Sequence, residues 1–350
     1  MSDPHLNPSL YDRDVEQVPI RSGYGDGLVV AGERDGRVVA LCADLTESTK
    51  TQAFAERFPD RFVEIGVAEQ NLVTVASGMA AVGKIPFITS YATFSPGRNW
   101  EQIRTTVCYN DQPVKIIGSH AGVSVGPDGA THQALEDMAI MRALPNMTVI
   151  APCDHLEAKR ATIAAAKHDG PVYIRLARER TPVITTEHTP FEIGKSLTFV
   201  EGSDVTLVTC GSLTYQALLA AQALRTLGVS AEVLNMHTVK PIDADALVAS
   251  VRKTGCVVSI EEHQVTGGLG GAVAELLARS YPVPQSFIGM PDRFGESGEP
   301  NELLAHCHMV ADDIVAAARD AVARKPKSVR TTPAKRAASG KHAASRRKKA

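Results

Sequence analysis

Short runs of apolar and β-branched residues alternate with stretches of helical periodicity along the first half of the chain. The apolar runs predict strands at 37–43, 61–66, 84–90, 113–119, 147–152 and 171–176. The helical patterns predict helices at 67–82, 98–109, 133–143 and 154–167. This alternation is typical of a mainly parallel sheet with helices on both faces.

The alternation stops and then resumes in the second half. Residues 181–200 contain two prolines and several threonines, which predicts a linker over 183–202. Strands are then predicted at 204–210, 230–235, 255–262 and 285–289, and helices at 212–227, 243–253, 269–280 and 301–323. The predicted α/β organisation begins with an arm (1–19) and a larger domain (20–182). The linker (183–202), a smaller domain (203–323) and a tail (324–350) follow.

Composition and charge narrow the class of protein. The chain has 350 residues, 44% of them hydrophobic, with no apolar run long enough to span a bilayer. We see no secretory signal, and the six scattered cysteines form no CxxC pair, so we expect a cytoplasmic protein with reduced thiols and no membrane association.

The basic residues are concentrated at the end of the chain. Residues 324–350 hold eleven Lys or Arg and no acidic residue, which leaves 26 basic and 39 acidic residues elsewhere, a net charge of −13. With few large apolar residues, this tail is predicted to be disordered. It could bind nucleic acid, but a solvated extension without a specific partner is the favoured interpretation.

One glycine-rich loop carries groups that can bind or move protons. The segment GSHAGVSVGPDGATHQ (118–133) follows a predicted strand and contains His120, Asp128 and His132. Ligands of open α/β sheets bind at the carboxyl ends of the strands, and these residue types suit a polyhydroxylated, phosphorylated substrate. The alternative is a surface loop with an Asx turn at Asp128 and a helix cap at Thr131.

Other candidates also follow predicted strands. Glu69 falls in the first turn of a helix. It is either a functional residue or an acidic residue that simply interacts favourably with the helix dipole. Phe94 could be a core residue or a stacking platform for a flat ring. Arg175 and Arg178 could grip phosphate or form ordinary salt bridges. The stretch GDG (25–27) is similar to the start of a diphosphate-and-magnesium motif but has no apolar strand directly before it. The stretch GGLGG (267–271) resembles a dinucleotide loop but lacks the full GxGxxG spacing, and close packing explains it better.

Taken in order, these segments resemble the C-terminal half of transketolase, from about residue 20 to 322. The resemblance rests on CADLTEST (42–49), EIGVAEQN (64–71), SYATF (90–94), the loop at 118–133 and IRLAR (174–178). It implies a pyrimidine-binding domain of the thiamine-diphosphate type followed by a smaller transketolase C-terminal-like domain. It also implies thiamine diphosphate as cofactor, which carries the hard chemistry while the protein orients and tunes it.

The resemblance also implies roles for individual residues. Glu69 matches the catalytic glutamate that hydrogen-bonds the aminopyrimidine ring nitrogen and promotes the imino tautomer. Phe94 matches the stacking aromatic and Asp44 a cofactor-site aspartate. Asp128 matches the group that binds a substrate hydroxyl. Both His120 and His132 match phosphate- or hydroxyl-binding groups with catalytic roles, and for His132 the resemblance also implies assistance in proton transfer. The positions that hold the sugar phosphate are matched by Arg21, Ser48 and Arg178, of which Arg21 lies in a divergent segment.

The family's diphosphate-binding domain has no counterpart in this sequence. The resemblance therefore implies a separate N-terminal subunit that holds most of the diphosphate site and the Mg²⁺ or Ca²⁺, with no metal ligand here, in a two-plus-two complex. The expected activity is transfer of a two-carbon unit from a ketose phosphate to an aldose phosphate in pentose phosphate metabolism. Alternatives are 1-deoxyxylulose-5-phosphate synthase, which carries Asp-Arg where this chain has Ser119-His120, the pyruvate dehydrogenase beta subunit, and a non-catalytic regulatory or scaffold partner.

Overall fold

The computed structural model describes residues 5–326. In chain order its strands are β1 (Gln17–Pro19), β2 (Val38–Cys42), β3 (Phe62–Glu64), β4 (Ile85–Tyr91), β5 (Lys115–Ser119), β6 (Thr148–Ile150), β7 (Val172–Arg175), β8 (Arg180–Pro182), β9 (Leu197–Val200), β10 (Val205–Thr209), β11 (Ala231–Asn235), β12 (Thr238–Lys240), β13 (Val257–Gln264) and β14 (Gln285–Met290). The predicted disordered tail lies outside the described residues from residue 327 onward.

The α-helices are α1 (Ile20–Arg34), α2 (Gln52–Arg57), α3 (Glu69–Ala81), α4 (Trp100–Gln102), α5 (Asp137–Arg142), α6 (His155–Lys167), α7 (Thr214–Thr226), α8 (Ala244–Thr254), α9 (Leu269–Ser280), α10 (Pro300–His306) and α11 (Ala311–Ala323). A π-helix at Ile103–Cys108 continues α4, and a 3₁₀ segment spans Val123–Asp128. Within the described residues no helix is long and apolar enough to cross a bilayer.

The first sheet has seven strands in the order β12-β6-β7-β5-β4-β2-β3. All its pairings are parallel except that of β12 with β6. Its central strands are buried on both faces: Val38 belongs to the core under α1 and α6, and Val39 to the core under α3 and α5. Burial on both faces explains why these strands read as continuous apolar runs.

Helix α1 lies unusually close to its neighbours. A Cβ atom at Gly23 would lie 1.7 Å from the carbonyl oxygen of His155, and one at Gly27 would lie 2.7 Å from that of Lys159. A Cβ at Gly25 would meet the carbonyl oxygen of Lys50 at 2.6 Å. The GDG segment therefore serves helix packing.

The second sheet has five strands in the order β14-β13-β10-β11-β9, parallel except at β9. Helices α7 and α11 cover one face. Helices α8 and α9 cover the other, and their apolar side chains join one core with those of α3 and α5. The two domains thus share a core, which fixes the second domain against the first.

Several elements differ from the predictions. The segment predicted as a linker contains β9, which pairs with β11 in the second sheet, and β12 crosses back to the first sheet. The prediction of a single helix at 301–323 is wrong. This segment forms two helices, α10 and α11, and His308 between them has a φ of 57°. The helix predicted at 98–109 is a short α-helical turn followed by a π-helix.

Candidate functional site

The predicted site residues lie at one edge of the first sheet. Asp44 and Ser48 follow β2, Phe94 follows β4, His120 follows β5, and Arg178 follows β7. Because β2, β4, β5 and β7 are parallel neighbours, their carboxyl ends share this edge. Side chains that are far apart in sequence therefore line one surface.

Glu69 is the first residue of α3 and is 2% exposed. The Ser90 hydroxyl donates to one of its carboxylate oxygens at 3.3 Å, and the Arg98 guanidinium contacts the other at 3.2 Å. The Asn99 side-chain amide donates to the Glu69 carbonyl at 3.0 Å. A buried carboxylate held at both oxygens has a fixed position and orientation.

Flat rings form a wall beside this carboxylate. The Phe94 and Tyr91 rings are stacked with centroids 6.4 Å apart, and His120 stacks on Tyr91 at 3.9 Å. His132 meets Phe94 edge-on at 5.5 Å. The Arg98 guanidinium lies 5.3 Å from the Phe94 centroid. Phe94 is only partly buried, so the wall can take a further flat ring.

His120 is buried at the centre of the cluster. Its Nε2 lies 3.3 Å from the Ser48 hydroxyl and 3.4 Å from an Arg21 nitrogen, while its Nδ1 lies 2.9 Å from the Ser119 hydroxyl. Burial lowers the pKa of His120 to about 3, and the charges of Arg21 and Arg178 act in the same direction. The ring is therefore a neutral hydrogen-bonding group at neutral pH.

Two arginines supply positive charge at the rim. Arg178 donates to the Val125 carbonyl at 2.5 Å and lies 3.8 Å from the Asp128 carboxylate. Arg21 donates to the Arg178 carbonyl at 2.9 Å, and its Nε is buried without a hydrogen-bond partner. Burial, followed by the charge of Arg178, lowers the pKa of Arg21. Two arginines close to each other, one of them with an unsatisfied donor, suit an anionic ligand.

The remaining predicted residues border the same edge. Asp44 has a φ of 58°, its backbone N–H donates to Glu64 at 2.7 Å, and its side chain is exposed. A cavity of about 590 Å³ is lined by Arg21, Asp44, Leu45, Thr46, Glu47, Ser48 and Lys50. His132 is half-buried, with its Nδ1 2.9 Å from the Thr131 hydroxyl.

The phosphate-gripping alternative for Arg175 is wrong. Its side chain is 5% exposed and is paired with Asp137 at 2.9 Å. It also donates to the carbonyls of Ala134 and Glu262. Arg175 therefore links β7 to α5 and β13 inside the protein and is not available to a ligand.

Two residues of the site were not predicted from the sequence. Tyr91 stacks on His120 and its hydroxyl lies 2.8 Å from that of Ser48. Arg98 pairs with Glu69. Both lie within four residues of Phe94, at or after the carboxyl end of β4. Their position at the end of a predicted strand is the sequence feature that could have identified them. Among the described residues no group of three or more His, Cys, Asp or Glu could hold a metal ion.

The fold and site together define a two-domain α/β protein whose candidate site lies at the carboxyl edge of its first sheet. Residues 16–183 match the family described as transketolase, pyrimidine binding domain, and residues 194–314 match transketolase, C-terminal domain. The chain therefore belongs to the transketolase family.

Similar proteins agree with this assignment. The chain is 44% identical to a "putative transketolase C-terminal section" of Methanocaldococcus jannaschii, covering 84% of this chain and 93% of that one. It is 41% identical to "6-deoxy-6-sulfo-D-fructose transketolase subunit SqwH" of Clostridium sp. (strain MSTE9), covering 90% and 98%. A solved structure described as "split gene transketolase, inactive beta4 tetramer" has 46% identity and a TM-score of 0.83, covering 88% and 100%.

Proposed function

We propose that this chain is the C-terminal subunit of a two-chain transketolase that depends on thiamine diphosphate. It transfers a two-carbon glycolaldehyde unit from a ketose phosphate to an aldose phosphate, as in pentose phosphate metabolism. The single observation that carries the proposal is the buried Glu69 carboxylate, which Arg98 joins to the half-buried Phe94 ring.

These residues fit the aminopyrimidine of thiamine diphosphate. One Glu69 oxygen is paired only with Arg98, whose side chain is 53% exposed and can turn away. That oxygen would then accept a hydrogen bond from a protonated ring nitrogen while the ring lies on Phe94. When bound, the cofactor supplies a carbanion source and electron sink. Glu69 would orient the ring and hold the proton of that nitrogen, and Asp44 would be a further cofactor-site residue.

The rim residues fit the sugar. Arg21 and Arg178 would bind the anionic end of the substrate, with Ser48 donating a hydrogen bond. Asp128 would accept from a sugar hydroxyl. His120, neutral and fixed by Ser119, would bind a hydroxyl or phosphate oxygen. His132, which is less buried, would bind the sugar and assist proton transfer.

A separate N-terminal subunit would complete the site by holding the diphosphate with Mg²⁺ or Ca²⁺, in a complex with two copies of each chain. Support comes from relatives that are themselves separate sections or subunits and match this chain over 93% and 98% of their length. All six cysteines are free and buried, in keeping with a cytoplasmic location.

The substrate's charged group is the open part of the proposal. One relative is named for a sulfonated fructose, and a guanidinium pair can bind sulfonate as well as phosphate. The Ser119-His120 pair favours transketolase over 1-deoxyxylulose-5-phosphate synthase, because it places a neutral imidazole where that enzyme has Asp-Arg.

Calorimetric titration with thiamine diphosphate and Mg²⁺ tests the proposal, first on the chain alone and then with a transketolase N-terminal subunit. We expect negligible binding alone, and binding together with turnover of ketose phosphates in the pair. A ketose sulfonate assayed beside the phosphate identifies the preferred anion. Tight binding by the lone chain would refute the two-chain arrangement. Binding without turnover by the pair would favour a regulatory role.

A further inference from the structure

The loop at 118–133, here called the substrate loop, is held by a carboxylate from the second domain. Glu262 lies in β13 and is 2% exposed. One of its oxygens accepts from the Ser124 backbone N–H at 2.7 Å, and the other accepts from the Ser212 hydroxyl at 2.5 Å. Both oxygens of this buried acid are thus committed, one of them to the loop backbone.

The substrate loop is shaped to receive this carboxylate. Gly122 has a φ of 92°, and a Cβ atom there would lie 2.3 Å from a carboxylate oxygen of Glu262. A side chain at position 122 would therefore displace Glu262. The glycine allows the backbone conformation and the close approach together.

Glu262 is itself fixed from the first domain. Its backbone carbonyl accepts from the Arg175 guanidinium at 2.7 Å, and Arg175 is paired with Asp137 at 2.9 Å. The carboxylate therefore has little freedom to follow a moving loop. It acts as a fixed point against which the loop is placed.

The contact leads directly to the candidate site. Ser124 lies between His120 and Asp128 in the loop, and the carbonyl of the next residue, Val125, accepts from Arg178. Loss of the contact at Ser124 would loosen the segment between His120 and Asp128, including the Val125 carbonyl that accepts from Arg178. Glu69 and Phe94 themselves lie outside the loop, at the start of α3 and after β4, and would keep their placement.

We propose that Glu262 is a positioning residue of the second domain that fixes the substrate loop through Ser124 and Gly122. Its assigned effect on sugar binding rests on the proposed function above. Its effect on the loop does not. Substrate affinity should therefore depend on Glu262, while cofactor affinity should not.

The neighbouring Glu261 offers a matched control. It is equally buried, and its carboxylate accepts from the backbone N–H groups of Leu269 and Gly270 at 2.7 Å each. It thus holds the start of α9 rather than the substrate loop. Glu262→Gln is the conservative variant, since its amide can still accept from Ser124 and can donate to Ser212.

The test compares Glu262→Ala, Glu262→Gln and Glu261→Ala in the assembled complex. We expect Glu262→Ala to raise the donor KM about tenfold or more, the size of one lost hydrogen bond to a charged group. The thiamine diphosphate affinity should stay unchanged, and Glu262→Gln should keep most of the wild-type KM. An equal KM change in Glu261→Ala and Glu262→Ala would overturn the proposal.

A second measurement does not depend on activity. Hydrogen exchange of the peptide covering 120–130 should be faster in Glu262→Ala than in wild type, Glu262→Gln or Glu261→Ala. Unchanged exchange would overturn the positioning role even if the chain has another function. If Glu262→Ala fails to fold, Glu262→Asp draws the carboxylate back by one methylene group and takes its place, with the same expected outcomes. If the wild-type complex shows no ketose turnover, the proposed function is refuted instead.

Discussion

His120 should make the folded chain less stable in acid, and replacing it should remove part of that loss. Its ring is buried, and the charges of Arg21, Arg178 and His132 add to burial in lowering its pKa to about 3. In the unfolded chain its pKa is near the ordinary value of about 6.5. Below that value the unfolded chain binds a proton that the folded chain does not, so stability falls as the pH falls.

The size of the effect follows from the two pKa values. One proton of difference changes the free energy of unfolding by about 1.4 kcal/mol per pH unit. Between pH 7 and pH 5 the contribution of His120 should fall by about 2 kcal/mol, because the folded pKa lies below this window. The contribution is fully present above about pH 6.5 and is lost progressively towards about pH 3.

The perturbation is His120→Asn, because His120 has a φ of 57° and Asn tolerates the left-handed region well. The assay is urea unfolding of wild type and variant between pH 5 and pH 8. His237 has its pKa lowered to about 3 by burial and Arg160, away from the site. His237→Asn should therefore show the same pH-dependent stability difference but leave substrate affinity unchanged.

A constant difference between wild type and His120→Asn across this pH range would refute the reasoning. It would mean that His120 takes up a proton in the folded chain as readily as in the unfolded one. The ring could then be a cation towards a phosphate. With the predicted result, the positive charge at the rim comes from Arg21 and Arg178, and His120 contributes hydrogen bonds alone.

Three further substitutions test other parts of the site. Glu69→Gln should lower kcat about a hundredfold or more with an unchanged fold, measured by ketose turnover and circular dichroism; full activity would contradict its role. Arg178→Gln should raise the KM of a phosphorylated ketose about tenfold but not that of an uncharged one, and equal changes would argue against an anion site. Gly122→Ala should lower the unfolding free energy by about 2 kcal/mol or more through backbone strain and overlap with Glu262, measured by denaturant unfolding, and wild-type stability would contradict this.

The sequence predicted the main strands well because each is a short apolar run with a clear boundary. The run KIPFITS, for example, became β4, buried along most of its length. Strand β12 was missed because its three residues have no periodicity, and pairing with β6 in the other domain decides its conformation. The break after α10 was missed because a left-handed residue at His308 leaves no apolar signal.

Site residues were predicted as far as they fall in local motifs. Glu69, Phe94, His120 and Arg178 each follow a recognisable strand. Arg175 ends the strand that Arg178 follows, and only the structure separates their roles, by burying Arg175 against Asp137. The contact of Glu262 with Ser124 joins residues 138 positions apart, and no local pattern encodes such a pair.

The second domain also lies against the substrate loop beyond Glu262. The Gln133 side-chain amide donates to the Glu296 carbonyl at 3.0 Å. A Cβ atom at Gly129 would lie 2.5 Å from the Ser297 hydroxyl, and one at Gly126 would lie 3.1 Å from Pro300. Loop residues on both sides of Asp128 therefore rest on the second domain, whereas Glu69 and Phe94 belong to the first. It follows that changes in the second domain can alter how the substrate loop is placed without altering the groups beside the proposed cofactor ring.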